Sequence, residues 1–206
     1  MSQAPTRVRR LRLGPRAAGS PLTLDEFDRA RFKDGWRYEL INGVLIVSPI
    51  PSLSERDPND QLGYSLRSYG ETHPNGAALD LTVAEQTVET KQQRRRADRV
   101  IWAGLGRLPG ETEAPTIVVE FVSAGKVNLE RDYVSKRAEY REIGVKEYWI
   151  VDRFAKALMV HRFAEGQDQT LVIPATGTYE TPLLAGYELP LGQLLRLADR
   201  WARRPK

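Results

Sequence analysis

The chain of 206 residues contains no cysteine and only two histidines, His73 and His161. The missing thiols exclude a disulfide framework, thiol catalysis and cysteine-bound zinc. Two histidines cannot build a multi-histidine metal site, and they leave a Ser-His-Asp triad poorly provided. The candidate groups for chemistry are therefore carboxylates and amines.

Long apolar runs are absent as well. No segment reaches the ~18 uninterrupted apolar residues that a membrane-spanning helix needs, and no apolar segment follows the N-terminal arginines to form a signal peptide. Hydrophobic residues make up 41% of the chain and charged residues 28%, a balance that excludes disordered and collagen-like proteins. We expect one folded domain that is soluble, cytoplasmic and not bound to a membrane.

The net charge of +4 is concentrated at the two ends of the chain. The first 20 residues carry five arginines and no acid, and residues 200–206 carry four basic residues, so residues 21–199 have a net charge of about −5. Basic ends can contact phosphate, but solvated ends are the simpler interpretation. We predict a flexible basic arm over 1–21, a single domain over 22–199 and a basic tail over 200–206.

A hairpin near the N-terminus is the clearest local signal. An Asn-Gly pair at 42–43 between two apolar runs predicts a two-residue turn. The turn sets the register and pairs Glu39 with Ile46. Both faces of the hairpin are then apolar, so we expect it to be interior, with Glu39 as the polar exception.

The remaining patterns predict one α/β domain with a central mixed sheet flanked by helices. The predicted elements are a short helix capped by Thr23, a polar loop over 51–60, a helix over 60–69, strands over 79–89 and 97–102 with a charged turn at 91–96 between them, a strand over 116–122, a helix over 128–143, strands over 147–151 and 157–163, and a C-terminal helix over 192–203.

Two carboxylates lie where the strand patterns require apolar residues. Glu120 interrupts the apolar run at 117–122, and an ionised carboxylate in a strand buried on both faces is costly unless it is paired or bound to a metal. Asp98 shares a strand face with Val100 and Trp102. A salt bridge at the end of a strand is the structural alternative for either acid.

Lys136 is the third misplaced charge, in the predicted helix over 128–143. The apolar stripe of this helix consists of Leu129, Tyr133, Tyr140 and Ile143. Lys136 occupies the missing position of the stripe, so it should point at the sheet. Its ammonium group either reaches solvent along its aliphatic stem or meets the two carboxylates.

Two carboxylates from neighbouring strands and one lysine from the next helix suit metal-assisted hydrolysis of a phosphodiester. Mg²⁺ prefers oxygen ligands, often one or two carboxylates completed by waters and substrate phosphate. The metal can lower the pKa of its bound water, while a nearby lysine offsets developing negative charge. Glu39 could join as a further ligand or position the lysine.

The motifs around these residues resemble the Uma2 family of the PD-(D/E)XK nuclease superfamily. The matching segments are Tyr38–Gly43, Arg96–Val100, Pro115–Ser123, Asp132 with Lys136 and Tyr140, Gly144–Asp152 and Leu184–Leu189. The resemblance covers roughly residues 23–197, and Gly144–Asp152 is the most distinctive of the matching segments.

The resemblance implies a restriction-endonuclease-like core in which Asp98 and Glu120 hold Mg²⁺, for which Mn²⁺ can substitute. The superfamily usually places its lysine two residues after the second acid, where this chain has Val122. Lys136 is the family-like candidate for that lysine, and Lys126 is the fallback. The predicted catalytic set is Asp98, Glu120, Lys136 and Glu39.

We therefore predict a Mg²⁺-dependent endonuclease that hydrolyses DNA phosphodiester bonds. One alternative is a catalytically silent protein of the same fold that binds nucleic acid or a protein partner. Another is a glycosidase that uses Glu120 and Asp98 as its acid and base. The intact acid–acid–lysine set argues against the first alternative, and the buried lysine argues against the second. DNA is the expected partner, and a homodimer is compatible with the sequence.

Overall fold

The computed structural model describes residues 10–123 and 129–202, with the side chains of 129–132 and Ala202 left out. The described residues separate into two compact units, and the single domain over 22–199 stays a prediction. No helix in the described ranges is long and apolar enough to cross a membrane.

The smaller unit comprises residues 10–50 and Lys91–Arg96. Its elements are β1 (Arg12–Leu13), α1 (Leu24–Arg29), β2 (Arg31–Phe32), β3 (Trp36–Ile41) and β4 (Val44–Pro49). Strands β3 and β4 form the predicted hairpin, in which Glu39 pairs with Ile46. The two turn residues have φ angles of 51° and 72°, the positive values that a two-residue turn of this kind requires.

The prediction that the hairpin is interior is wrong. Leu40 and Leu45 are almost fully buried, whereas Val44 and Ile46 on the opposite face are 36% and 38% exposed. The buried face packs in a small core with Phe27 and its neighbours. One apolar face is thus covered, and the other carries apolar residues at the surface.

Part of the expected flexible arm is ordered. Strand β1 pairs in parallel with β2, and the Leu13 side chain is buried. The backbone N–H of Gly19 donates to the carbonyl oxygen of Leu45 at 2.8 Å. This burial was not predicted because arginines surround Leu13 in the sequence. The first nine residues lie outside the described ranges.

The larger unit comprises Pro51–Thr90 and the described residues from Ala97 onward. Its helices are α2 (Leu53–Thr72), α3 (Leu129–Glu142) and α4 (Leu191–Ala202). Its strands are β5 (Leu79–Glu89), β6 (Arg94–Ala103, which begins in the smaller unit), β7 (Ile117–Phe121), β8 (Glu147–Asp152), β9 (Ala157–Arg162), β10 (Gln169–Pro174), β11 (Thr178–Glu180) and β12 (Glu188–Pro190).

The main sheet of this unit has the order β10-β9-β8-β7-β6, and β5 also pairs with β6. Strands β7 and β8 run parallel, whereas the pairs β6–β7, β8–β9 and β9–β10 are antiparallel. Helices α2 and α4 pack with Val119 on one face of the sheet, and Tyr140 of α3 packs with Val118 on the other. The predicted α/β class with a mixed central sheet is confirmed.

The polar loop predicted over 51–60 is wrong, because α2 already begins at Leu53. Ser52 caps this helix together with Glu55, whose carboxylate accepts the backbone N–H of Ser52. Pro58 lies inside the helix, although proline usually indicates a break. The capping pair, with an acid three residues after a serine, was the overlooked signal.

The charged turn predicted at 91–96 is shorter than expected, because β6 already begins at Arg94. Arg94 is buried, and its guanidinium donates two hydrogen bonds to the Asp28 carboxylate at 2.8 and 2.7 Å. Of the predicted basic tail, residues 200–202 continue α4. Strands β10, β11 and β12 had no counterpart in the prediction.

Candidate active site

Two buried carboxylates lie side by side on β6 and β7. Asp98 is 4% exposed and Glu120 is 3% exposed. Arg99 pairs with Val119 in the antiparallel ladder, so the next position along each strand brings Asp98 and Glu120 together. Asp98 Oδ2 accepts the backbone N–H of Phe121 at 2.6 Å, which fixes the Asp98 carboxylate against β7.

Lys136 reaches this pair from α3. Its Nζ donates to Glu120 Oε1 at 2.9 Å, and the lysine is 2% exposed. The orientation predicted from the apolar stripe is confirmed, and the alternative in which the ammonium group reaches solvent is wrong. The catalytic role of Lys136 stays a prediction, and Lys126 lies outside the described residues.

Tyr140 is a polar member of the site that the sequence analysis counted as apolar. Its hydroxyl donates to the same oxygen, Glu120 Oε1, at 3.2 Å, and the residue is fully buried. A buried tyrosine hydroxyl usually finds a hydrogen-bond partner. The signal in the sequence was the spacing, because Tyr140 follows Lys136 by one helical turn.

The surroundings of Glu120 explain why a carboxylate is tolerated in this strand. Removing a carboxylate from water costs several kcal/mol, and here an ammonium group and a phenol both donate to it. With Asp98 beside it, the two acids and Lys136 carry a formal charge of −1. A buried group of this charge is suited to a cation.

On the other face of β6, Asn59 of α2 secures the backbone of Asp98. Its Nδ2 donates to the Asp98 carbonyl oxygen at 2.8 Å. The Arg99 guanidinium donates to Asn59 Oδ1 at 2.7 Å and to the Asn59 carbonyl oxygen at 2.9 Å. Asn59 was missed because its segment had been interpreted as a loop.

Ser123 follows β7 and is directed toward α2. Its hydroxyl donates to Glu55 Oε1, and the other Glu55 oxygen accepts from Ser52. Glu55 is therefore held at the start of α2 by serines on both sides.

Glu39 lies in the smaller unit, where its carboxylate bonds to backbone. Its Oε1 accepts the N–H of Arg96 at 3.0 Å, and Arg37 Nη2 donates to the carbonyl oxygen of Arg96 at 2.6 Å. The side chains of Arg37 and Glu39 on β3 thus bind the carbonyl oxygen and the N–H of Arg96 on β6, which are both of its backbone polar groups. A further role of Glu39 as a metal ligand or catalytic group stays a prediction.

The donor set fits a hard divalent cation. Asp98 and Glu120 supply carboxylate oxygens, and Mg²⁺ commonly takes one or two carboxylates with water and phosphate. In the described part of the chain, no three His, Cys, Asp or Glu side chains cluster as a metal site. A complete protein cage of the kind that Ca²⁺ or structural Zn²⁺ uses is therefore not offered by these residues.

The sequence matches a known protein family, and the fold is similar to that of a solved structure. Residues 24–192 match the family model of Uma2, described as "Putative restriction endonuclease". The chain is also similar to the crystal structure of "a putative nuclease belonging to DUF820" from Anabaena variabilis ATCC 29413. That similarity has a TM-score of 0.69 at 16% identity and covers 86% of this chain and 99% of the other.

At 16% identity the structural likeness shows the fold alone. No curated protein matches the chain. The family match, in contrast, spans most of the sequence and includes Asp98, Glu120, Lys136 and Tyr140. The chain belongs to the Uma2 family.

Proposed function

We propose that this protein is a metal-dependent nuclease that cleaves DNA phosphodiester bonds at the site formed by Asp98, Glu120 and Lys136. The observation that carries the proposal is the buried contact of 2.9 Å between Lys136 Nζ and Glu120 Oε1, next to the second carboxylate. Membership of the Uma2 family, whose description is "Putative restriction endonuclease", supports the same chemistry.

Asp98 and Glu120 are the residues that would hold the metal. Mg²⁺ bound there would neutralise phosphate charge and make a bound water more acidic. Asp98 is kept in place by the Phe121 N–H and by Asn59, and Glu120 by Lys136 and Tyr140. These contacts pre-organise the two acids before any ligand arrives.

Lys136 contributes a fixed positive charge beside the carboxylates. Phosphodiester cleavage builds negative charge on the phosphate oxygens and the leaving oxygen. An ammonium group held by Glu120 can stabilise that charge without reorganisation, because the burial of Lys136 keeps bulk water away from it. Lys136 thereby acts on the substrate while Glu120 sets its position.

The same contact argues against a glycosidase. A glycosidase of the two-carboxylate type needs one carboxyl group protonated to donate to the leaving oxygen. Glu120 accepts from the lysine ammonium at 2.9 Å and Asp98 accepts the Phe121 N–H at 2.6 Å, so both carboxylates are held as hydrogen-bond acceptors rather than as proton donors. The remaining alternative, a silent protein of the same fold, is decided by experiment.

The test combines Mn²⁺ titration calorimetry with cleavage of supercoiled plasmid DNA in Mg²⁺. Wild type should bind the metal and nick the plasmid. Asp98→Asn, which keeps an acceptor for the Phe121 N–H, should bind Mn²⁺ weakly and lose cleavage. Lys136→Met should keep Mn²⁺ binding and lose turnover by ~10²–10⁴-fold, the usual effect of a positioned acid–base group.

Circular dichroism of each variant confirms that it is folded before its activity is compared. A wild-type protein that binds neither Mn²⁺ nor Mg²⁺ would remove the metal-dependent enzyme from consideration. Metal binding without cleavage of plasmid or oligonucleotide DNA would favour the silent nuclease fold.

A further inference from the structure

Arg99 is a buried cation without a salt bridge among the described residues. It is 4% exposed, and its three hydrogen bonds go to Asn59 Oδ1, the Asn59 carbonyl oxygen and Thr82 Oγ1. All three acceptors are neutral. A guanidinium has five N–H groups, so one hydrogen on each Nη remains without a described partner.

Helix α2 comes unusually close to this guanidinium. A methyl group placed on Gly63 would lie 2.5 Å from Arg99 Nη2, so only glycine allows the approach. Burial, assisted by the positive charge of Arg67, lowers the pKa of Arg99 to about 10, and Asp60 opposes this in part. The positive charges of Arg67 and Arg99 thus repel each other, and a bound anion would offset that repulsion.

Arg99 lines an open groove of about 710 Å³ along α2. The other lining residues are Asp60, Gly63, Tyr64, Arg67, Ser68, Glu71, Thr72 and Ala84. Tyr64 is 68% exposed, and Arg67 is also exposed. The groove therefore combines two guanidinium groups with one accessible aromatic ring.

We propose that this groove binds a nucleic-acid single strand, with a backbone phosphate at Arg67 and Arg99 and an unpaired base on Tyr64. The proposal rests on the proposed nuclease function for the class of ligand. Exposed aromatic rings next to basic groups are the usual means of holding single strands. A guanidinium is well shaped to donate to phosphate oxygens.

Asn59 connects the groove to the candidate active site. Its amide oxygen accepts from Arg99 in the groove, and its amide nitrogen donates to the carbonyl oxygen of Asp98. The two acids of the groove, Asp60 and Glu71, balance the two arginines in formal charge. The groove as a whole is therefore neutral, and a phosphate group is attracted locally to the two arginines.

The test is fluorescence anisotropy with a labelled single-stranded DNA of about 12 nucleotides, in EDTA so that no metal-dependent cleavage occurs. Arg67→Ala should weaken binding about 5- to 10-fold at low salt and reduce the salt slope by about 0.7, the loss of one phosphate contact on a single strand. The matched control is Arg107→Ala, an exposed arginine of the same unit outside the groove, which should change binding less than about 2-fold.

Two further variants test the location of the bound strand. Tyr64→Ala should weaken single-strand binding about 5-fold or more, the lower end of the effect of losing one stacked base, and should affect a matching duplex much less. Asp60→Asn removes a negative charge from the groove and should tighten binding several-fold. All four exchanged positions are at the surface, so the folded state should persist.

The inference is overturned if wild type does not bind single-stranded DNA, or if Arg67→Ala and Tyr64→Ala bind as tightly as Arg107→Ala. It stands if the predicted pattern is found in EDTA even when no DNA is cleaved in Mg²⁺, a result that would contradict the proposed nuclease alone. If the protein cleaves DNA but the groove variants bind single-stranded DNA as tightly as wild type, the proposed nuclease function stands and the proposed single-strand site is rejected.

Discussion

The ammonium group of Lys136 and the carboxylate of Glu120 form an ion pair in which both side chains are at least 96% buried. Such a pair is weak evidence for stability, because desolvation of the two charges offsets much of their attraction. Removal of one partner is far more damaging, because the other charge stays buried without compensation. Substitution of either residue should therefore change the free energy of unfolding strongly.

A double-mutant cycle should show this dependence. Lys136→Met alone should lower the free energy of unfolding by about 3–5 kcal/mol, the usual cost of a stranded buried charge. When Glu120→Gln is added, the double variant should recover part of that loss, because neither charge remains. Urea unfolding of the four proteins at pH 7 measures the cycle. Losses that simply add would show that the two residues do not depend on each other.

Tyr140→Phe should affect the site more than the fold. The exchange removes one hydrogen bond to Glu120, at a cost of about 1–3 kcal/mol for a buried acceptor. Loss of such a supporting contact should reduce metal affinity or activity about 10- to 100-fold. Calorimetric Mn²⁺ titration and plasmid cleavage provide the two readouts.

Tyr69→Phe is the matched control for Tyr140→Phe. Tyr69 is a buried tyrosine whose hydroxyl donates to the carbonyl oxygens of Asn75 and Ala185. Its exchange should cost similar stability and leave metal binding unchanged. Equal effects of both variants on Mn²⁺ affinity would contradict a positioning role for Tyr140.

Gly63→Ala should destabilise the protein although alanine is the better helix former. Helix propensity favours alanine over glycine by about 1 kcal/mol. Against this, the new methyl group would meet Arg99 Nη2 at 2.5 Å, and overpacking of this kind costs about 1–3 kcal/mol. In Gly70→Ala, in the same helix, the nearest atom to the new methyl group is Leu79 Cδ2 at 3.3 Å, and the next neighbours lie at 3.9 Å, an ordinary contact distance. Thermal unfolding should show a lower Tm for the first variant only, and a Gly63→Ala protein as stable as Gly70→Ala would refute the close approach.

Acid should weaken the fold partly through His161. Burial, with a further contribution from Arg137, lowers the pKa of His161, and Asp168 opposes the shift. Because the folded pKa lies below the unfolded value of about 6.5, the unfolded state binds the proton first as the pH falls. Stability from this residue is therefore present above about pH 6.5 and is lost as the pH falls toward the folded pKa.

Comparison of Tm at pH 7.5 and pH 5.5 measures this contribution. His161→Asn removes the titrating group and keeps a polar partner for Thr170, which contacts His161 Nδ1 at 3.0 Å. The variant should lose less Tm between the two pH values than wild type. An unchanged difference would assign the acid sensitivity to other groups.

Short-range rules were sufficient for some elements. The register of the hairpin follows from the length of its turn, and the orientation of Lys136 follows from the helical period. The start of α2 was missed because Pro58 suggested a loop, although the capping pair Ser52 and Glu55 lies six and three residues before it. In that case the rule that proline breaks a helix was given more weight than the capping rule.

Other features depend on contacts between distant segments. Arg99 has a polar side chain on a strand face that packs against a helix, and only the glycine at position 63 makes room for it. No sequence pattern links these two residues, which are far apart along the chain. The contribution of Asn59 to both Asp98 and Arg99 likewise appears only when α2 and β6 are placed together.

The hydrogen bonds from Arg37 and Glu39 to Arg96 have an evolutionary consequence. Strand β3 pairs with β6 through backbone at Leu40 and Arg94, and beyond that point two side chains take the place of the ladder. Natural selection on Glu39 can therefore act through folding alone. An invariant glutamate at this position among relatives would be expected even in lineages that have lost catalysis, so its persistence would record the architecture of the strand pair rather than the survival of an enzyme.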